Sequence, residues 1–200
     1  MLRVHHLINS RSQRIIWLLE ELGAPYQVLH YERDPYTGRA SREFKALHPL
    51  GKAPIVEEDG KIFAESGAII EHVLRKYSGG RLRPGDHSPD RIDYDVLLHH
   101  AEGSAFAWLL AFIKSDRSAA AAEELQAQIA FLSGVLGDRN YFVGEDFTAA
   151  DIQVACFLEV AREFGQLASH ENLNLFLSRM HRRPAYLRAV EVGRGYNLAW

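Results

Sequence analysis

The sequence predicts a chain in two parts, an α/β domain of element order βαβαββα followed by an all-helical domain. Three observations predict it. The first eighty residues switch repeatedly between alternating and helical apolar patterns, residues 81–89 turn polar and rich in proline and glycine, and every apolar pattern beyond them has the helical period. Taken in order, Leu2, Val4 and His6 lie on one side of a short strand that Ile8 and Asn9 bring to an end. Ile15, Leu18, Leu19 and Leu22 then fall on one helical face, closed by Gly23. Residues 26–31 read as a second strand, and a strand-helix-strand crossover makes its two strands parallel. A weaker helix over residues 39–47 carries Phe44 and Leu47 before Pro49 and Gly51 break it. Residues 53–58 and 61–63 are strands joined by Asp59-Gly60, a two-residue hairpin turn, so they are antiparallel. Ser66, Ile69, Ile70, Val73, Leu74 and Tyr77 mark the next helix, ended by Ser78-Gly79-Gly80.

The polar stretch Arg81 to Pro89 reads as a linker, which sets the expected domains at 1–80 and 90–200. Helices are predicted beyond it over residues 91–114, 119–136, 148–164, 171–179 and 184–192. Thr148 and Asp151 have the spacing of a capping box, with Phe147 and Ile152 placed as a hydrophobic staple, so this motif is structural.

Composition narrows the function. With 23 basic and 26 acidic side chains in 200 residues, the net charge of -3 supplies no field for a phosphate backbone, and nucleic acid is excluded as a partner. The start Met1-Leu-Arg-Val-His-His lacks a signal-peptide pattern, and charges interrupt the apolar stretches short of the roughly 20 residues that cross a bilayer. A cytoplasmic protein without membrane association is expected. The single cysteine, Cys156, rules out a disulfide framework and a multi-thiolate metal site. It sits among apolar residues on a predicted helix, where a buried thiol is the ordinary outcome. His5-His6 and His99-His100 do not make a metal site, because adjacent positions diverge on strand and helix alike.

Three segments carry candidate chemistry. Asn9-Ser10-Arg11-Ser12-Gln13 runs from a strand into a helix, where exposed N–H groups and the helix dipole favour an anion. Ser10 and Gln13 also have the spacing of a capping box, which by itself explains the serine. Lys52-Ala53-Pro54 enters a strand through a proline, consistent with a sheet edge or with a cis bond that offers the Ala53 backbone to a peptide-like ligand. Glu65-Ser66 again joins a strand to a helix start, and a capped helix with an acidic first turn accounts for it too.

In this order, Asn9-Ser10-Arg11-Ser12-Gln13-Arg14 with Trp17 to Gly23, Gly51-Lys52-Ala53-Pro54, Glu65-Ser66-Gly67-Ala68-Ile69-Ile70 and Phe147-Thr148-Ala149-Ala150-Asp151-Ile152 resemble the cytosolic glutathione S-transferase family, with a bacterial-type, serine-class-like first motif. The resemblance spans nearly the whole chain. It implies a thioredoxin-like N-terminal domain, a homodimer, glutathione as co-substrate and no metal. It also implies a cis Pro54, pairing of the Ala53 backbone with the cysteinyl part of glutathione, and contacts from Glu65 and Ser66 to the γ-glutamyl end. Lys52 then approaches a carboxylate and Arg39 the glycyl end.

A free thiol has a pKa near 8.5, and a hydroxyl donor with a helix N-terminus lowers it by about two units, or about 2.7 kcal/mol. Ser10 is the expected donor. Because related serine-dependent branches place their hydroxyl nearer Asn9, the Asn9 amide is an alternative, with Arg11 and Ser12 as contributors. Phe106, Leu109 and Leu110 are apolar candidates for an electrophile pocket expected between the domains, although helical spacing also suits a core. The implied activity is conjugation of the glutathione thiolate to electrophilic small molecules. The alternatives are a glutathione-dependent peroxidase or dehalogenase on the same site, and a non-catalytic glutathione-binding protein.

Overall fold

A computed structural model describes residues 1–195 of the chain. Among the described residues it forms two compact units, one of residues 1–79 and 182–195, the other of residues 80–181. In the first, β1 (Leu2–Leu7), β2 (Tyr26–Tyr31), β3 (Ile55–Glu58) and β4 (Lys61–Ala64) make one sheet in the order β2-β1-β3-β4. β1 and β2 are parallel, joined by the crossover helix α1 (Gln13–Leu22), while β3 is antiparallel to β1 and β4 to β3. Asp59 at φ 50° and Gly60 at φ 78° give the β3–β4 turn the two left-handed residues of a type I′ hairpin.

As the central strand, β1 is covered on both faces: His5 and Leu7 are buried as well as Leu2, Val4 and His6. Leu7 packs with Phe44 and Ile55 in a small core that includes α2 (Arg42–Ala46). The helix expected over residues 39–47 is shorter than that. Asp34 Oδ1 accepts the N–H groups of Tyr36 and Thr37 at 3.1 and 2.8 Å, holding the preceding chain as a turn, and Ser41 caps α2 by accepting the Phe44 N–H at 3.2 Å. A carboxylate that occupies backbone donors competes with the helix for them. α3 (Ser66–Tyr77) completes the βαβαββα order.

The helical unit contains α4 (Arg91–His100), α5 (Phe106–Lys114), α6 (Ala119–Leu136), α7 (Ala149–Glu163) and α8 (Glu171–Met180). The single helix expected over 91–114 carries a π turn at Ala101–Ala105, where the Phe106 N–H reaches back to the Ala101 carbonyl. The reason lies in the apolar spacing. Leu97, Ala101, Ala105 and Leu109 are all buried at steps of four residues, and a wider turn returns a four-residue repeat to the face that a 3.6-residue helix would rotate away. Taken through its π turn, Arg91–Lys114 is long and apolar enough to cross a membrane by length and composition only, a test that the core helix of a folded domain also passes, and Arg91, Asp93, Asp95, Glu102 and Lys114 interrupt it as expected. Within the unit it packs on α6 and α7.

At the start of α7, Asp151 accepts the Thr148 N–H and hydroxyl at 2.8 and 3.0 Å, completing the capping box, while Phe147 and Ile152 are buried. Asp151 also accepts the Phe142 N–H at 2.8 Å, a bond that ties the preceding loop to the helix.

α9 (Pro184–Val192) departs from the expected division. The domain expected from 90 to 200 gives up this helix to the first unit, where it packs along α1; residues 196–200 of that range lie outside the described residues. Trp17 meets Tyr186 edge-on at 5.0 Å, Arg183 makes a two-pronged ion pair with Glu21 at 2.6 and 2.9 Å, and Arg188 pairs with Glu20 at 2.7 Å. This contact also explains why α1 is buried well beyond its predicted stripe, with Ile16 and Trp17 enclosed as fully as Ile15 and Leu18.

Candidate functional site

Strand register decides which loops meet. Leu7 pairs with Tyr31 at the C-terminal ends of β1 and β2, and His5 pairs with Ile55 at the start of β3, which in turn pairs with Ala64 at the end of β4. The loops after β1 and β2, the segment before β3 and the segment after β4 therefore leave the same end of the sheet. Ser10, Arg39, Lys52 to Pro54 and Glu65-Ser66 lie in those four segments. The N-termini of α1 and α3 open at that end too, bringing two sets of backbone donors without a carbonyl one turn back.

The Ala53–Pro54 bond is cis, and Pro54 is buried while Lys52 is exposed. Gly51 before it has φ 54°, and a Cβ there would come within 3.0 Å of the Lys45 side chain, so the turn needs glycine. Ser66 is the first residue of α3 and is buried; the cap position belongs to Glu65, whose side chain does not cap the helix. Glu65 is exposed at φ 76°, a conformation unfavourable for a side chain with a Cβ. Backbone held in such a state beside exposed polar groups is characteristic of ligand sites. Arg39 is exposed in the loop after β2.

The first loop differs from its sequence reading. Ser10 does not cap α1; the cap position is Ser12, and the Gln13 side chain donates to the Ala189 carbonyl at 2.7 Å instead of closing a box. Ser10 Oγ accepts the Ser12 N–H at 3.2 Å and lies 2.7 Å from Ser12 Oγ. Ser12 Oγ lies 2.8 Å from His6 Nδ1, and His6 Nε2 lies 3.2 Å from the Gly193 carbonyl. Ser10 and Asn9 are half-buried, whereas Ser12 and His6 are fully buried, so a ligand at the loop meets Ser10 or Asn9 and not Ser12.

Burial pushes the His6 imidazole down to about 4 against an opposing bond to Gly193, so the ring is neutral at physiological pH. Arg33 fixes the loop from outside, donating to the carbonyls of Ile8 at 3.0 Å and Asn9 at 2.6 Å, while Asn9 adopts φ 53°. Burial lowers the Arg33 guanidinium from its ordinary value, and it remains a cation.

Phe106 and Leu109 are buried. Phe106 packs edge-on against Phe157 at 5.7 Å within the helical unit, the core role their spacing also allowed, and Leu110 is half-buried. Among the described residues, no group of three or more His, Cys, Asp or Glu side chains is placed to hold a metal ion. His6 and Arg33 were not singled out by sequence reading, and Ser12, expected there as a contributor beside Ser10, is a buried link between Ser10 and His6. The visible signal for His6 and Ser12 was a histidine on the buried face of a strand six residues before a serine at a helix start.

Residues 2–75 match the family model described as glutathione S-transferase, N-terminal domain, and residues 100–184 the corresponding C-terminal domain. Glutathione S-transferase 3 of Schizosaccharomyces pombe is 33% identical over 96% of this chain and 87% of its own length. Glutathione S-transferase 1 of Saccharomyces cerevisiae is 28% identical over 97% and 96%. Among solved structures, a glutathione S-transferase from Actinobacillus pleuropneumoniae is similar at a TM-score of 0.92 with 31% identity, over 100% of this chain and 95% of that one. A sphingomonad glutathione S-transferase complexed with glutathione shares the fold at a TM-score of 0.81 and 22% identity, over 96% and 98%.

Proposed function

Since the chain belongs to the glutathione S-transferase family, we propose that it binds glutathione at the shared end of its sheet and conjugates the thiolate to electrophilic small molecules. The observation that carries this reading is the convergence there of two helix N-termini, the backbone edge before a cis proline and the half-buried hydroxyl of Ser10. The Ala53 backbone pairs with the cysteinyl residue, Glu65 and Ser66 hold the γ-glutamyl end, and Lys52 and Arg39 meet the remaining carboxylate. Ser10 donates to the sulfur, with the Asn9 amide beside it. The helix dipole and this bond favour thiolate over thiol, as a nucleophile for displacement or addition requires.

The working protein is a cytoplasmic homodimer acting in detoxification. Family membership supports this, together with the exposed Ile92 and Val96 one turn apart on α4, an apolar surface suited to a second copy.

Calorimetry with millimolar glutathione and a conjugation assay with a generic aryl halide test the reading. Saturable binding with turnover is expected. No binding overturns it, and binding without turnover across several electrophile classes assigns the protein a non-catalytic role. Ser10→Ala is expected to raise the kinetic pKa of the bound thiol by one to two units; an unchanged value, with Asn9→Ala raising it instead, transfers the role to Asn9.

A further inference from the structure

Ser10, Ser12 and His6 form an unbroken file of hydrogen-bonding atoms from the loop to the interior, and its direction is fixed from the buried end. The Gly193 carbonyl can only accept, so His6 Nε2 carries the ring hydrogen and Nδ1 of the neutral imidazole is a bare acceptor. Ser12 Oγ, 2.8 Å away, therefore donates to it; the Leu7 carbonyl, the other acceptor in reach, is farther at 3.4 Å. With that hydrogen committed, the 2.7 Å contact between the serines is made by the hydrogen of Ser10. Ser10 thus presents a lone pair to a ligand, and the group that suits a lone pair is a hydrogen donor such as a neutral thiol.

We propose that Ser10, Ser12 and His6 are a proton relay that ionises the bound thiol, with His6 Nδ1 as terminal acceptor. This rests on the reading that Ser10 faces the sulfur of glutathione. In the step the S–H bond breaks as Ser10 Oγ takes its proton, Ser10 passes its own proton to Ser12, and Ser12 passes its own to Nδ1. The sulfur keeps the bonding pair. The products are a thiolate, two intact hydroxyls and an imidazolium, with every bond in the file reversed, so that Ser10 now donates to the thiolate. When the sulfur has reacted, the proton returns by the same file to Ser10 and leaves to the product or to water.

Burial, with His30 of β2 edge-on at 5.6 Å and Arg194 after α9, disfavours an imidazolium at His6; these groups keep Nδ1 available as an acceptor and at the same time oppose the protonated ring, so the transfer depends on the attraction of the thiolate. The ring is therefore empty of a second proton at neutral pH, and the imidazolium is stabilised only while the thiolate lies at the other end of the file.

Ser12→Ala removes the middle link, Ser12→Thr retains a hydroxyl, and His6→Phe removes the terminus. The readouts are kcat/KM for conjugation between about pH 5.5 and 9.5, and calorimetric affinity for S-methylglutathione, which has no thiol proton. Ser12→Ala and His6→Phe are expected to lower kcat/KM about tenfold near pH 6.5 and to raise the kinetic pKa by about one unit, with rates converging on the unaltered protein at high pH. Ser12→Thr keeps the original profile, and affinity for S-methylglutathione is unchanged throughout. A loss of rate equal at all pH values, or an unchanged kinetic pKa in Ser12→Ala that still binds S-methylglutathione, overturns the relay and leaves the transferase reading standing. Failure of the unaltered protein to bind glutathione overturns that reading itself. If His6→Phe does not fold, Ser12→Ala decides alone.

Discussion

Glu58, at the end of β3, shows how single side chains set the acid response. Burial pushes its carboxyl up, but hydrogen bonds from Tyr77, His72 at 2.6 Å and Lys76 more than offset this and hold it at about 2. Its folded pKa is below its unfolded one, so its stabilisation is present above about pH 4.5 and is lost as pH falls through about 2. His6, depressed to about 4, has the same sign, and its contribution fades from about pH 6.5 downward. Each is on the order of 3 kcal/mol at full extent. Unfolding in urea as a function of pH is expected to show both steps; Glu58→Gln removes the lower one, and a profile unchanged by that substitution contradicts the account. Asp151 matters by a different route. Asp151→Ala strands two buried N–H groups and is expected to destabilise by about 2–4 kcal/mol, against about 1 kcal/mol for Thr148→Ala, read as shifts in urea midpoint.

At the scale of elements, the contact between α1 and α9 is the feature least visible beforehand. A helix leaves its last carbonyls without partners, and here His30 donates to Val192 at 2.8 Å and His6 to Gly193 at 3.2 Å, two histidines opposite one another on neighbouring strands. The pair seats the end of α9 on the sheet. Gly193 is required there by space, not by conformation: its φ is -73°, but a Cβ would lie 2.2 Å from the buried Gln13 Oε1 and 3.2 Å from the Ala189 carbonyl. Gly193→Val is therefore expected to cost about 1–3 kcal/mol and to weaken glutathione turnover by disturbing His6. Thermal unfolding and the conjugation assay check this, and a variant with unaltered stability argues against close packing at this point. The predicted stripe on α1 marked one buried side; the second side exists because a helix more than 160 residues later in the chain covers it.

For the whole molecule, ligand linkage gives a direct test of the site. Glutathione at about 100 times its Kd is expected to stabilise the protein by about 2.7 kcal/mol, raising Tm by several degrees, and Ser66→Ala and Lys52→Ala are expected to diminish the rise at fixed concentration. Equal rises in all three proteins count against the assigned contacts. Element order, the hairpin at Asp59-Gly60 and the cap at Thr148 were legible in the sequence, because periodicity, turn chemistry and capping act within a few residues; the candidate residues of the four site segments were singled out only by the family resemblance, since local chemistry explains each segment equally well as a helix start or a strand entry. The lone Cys156, buried in α7, fits a protein whose reactive sulfur comes from its substrate. The tertiary structure alone decided that α9 joins the sheet unit, that Ser12 and not Ser10 stands at the start of α1, and that a buried histidine reaches Ser10 through Ser12. These depend on atoms brought together across up to 187 positions of sequence, where hydrogen-bond direction is set by which acceptor happens to lie at the far end. No local pattern encodes that.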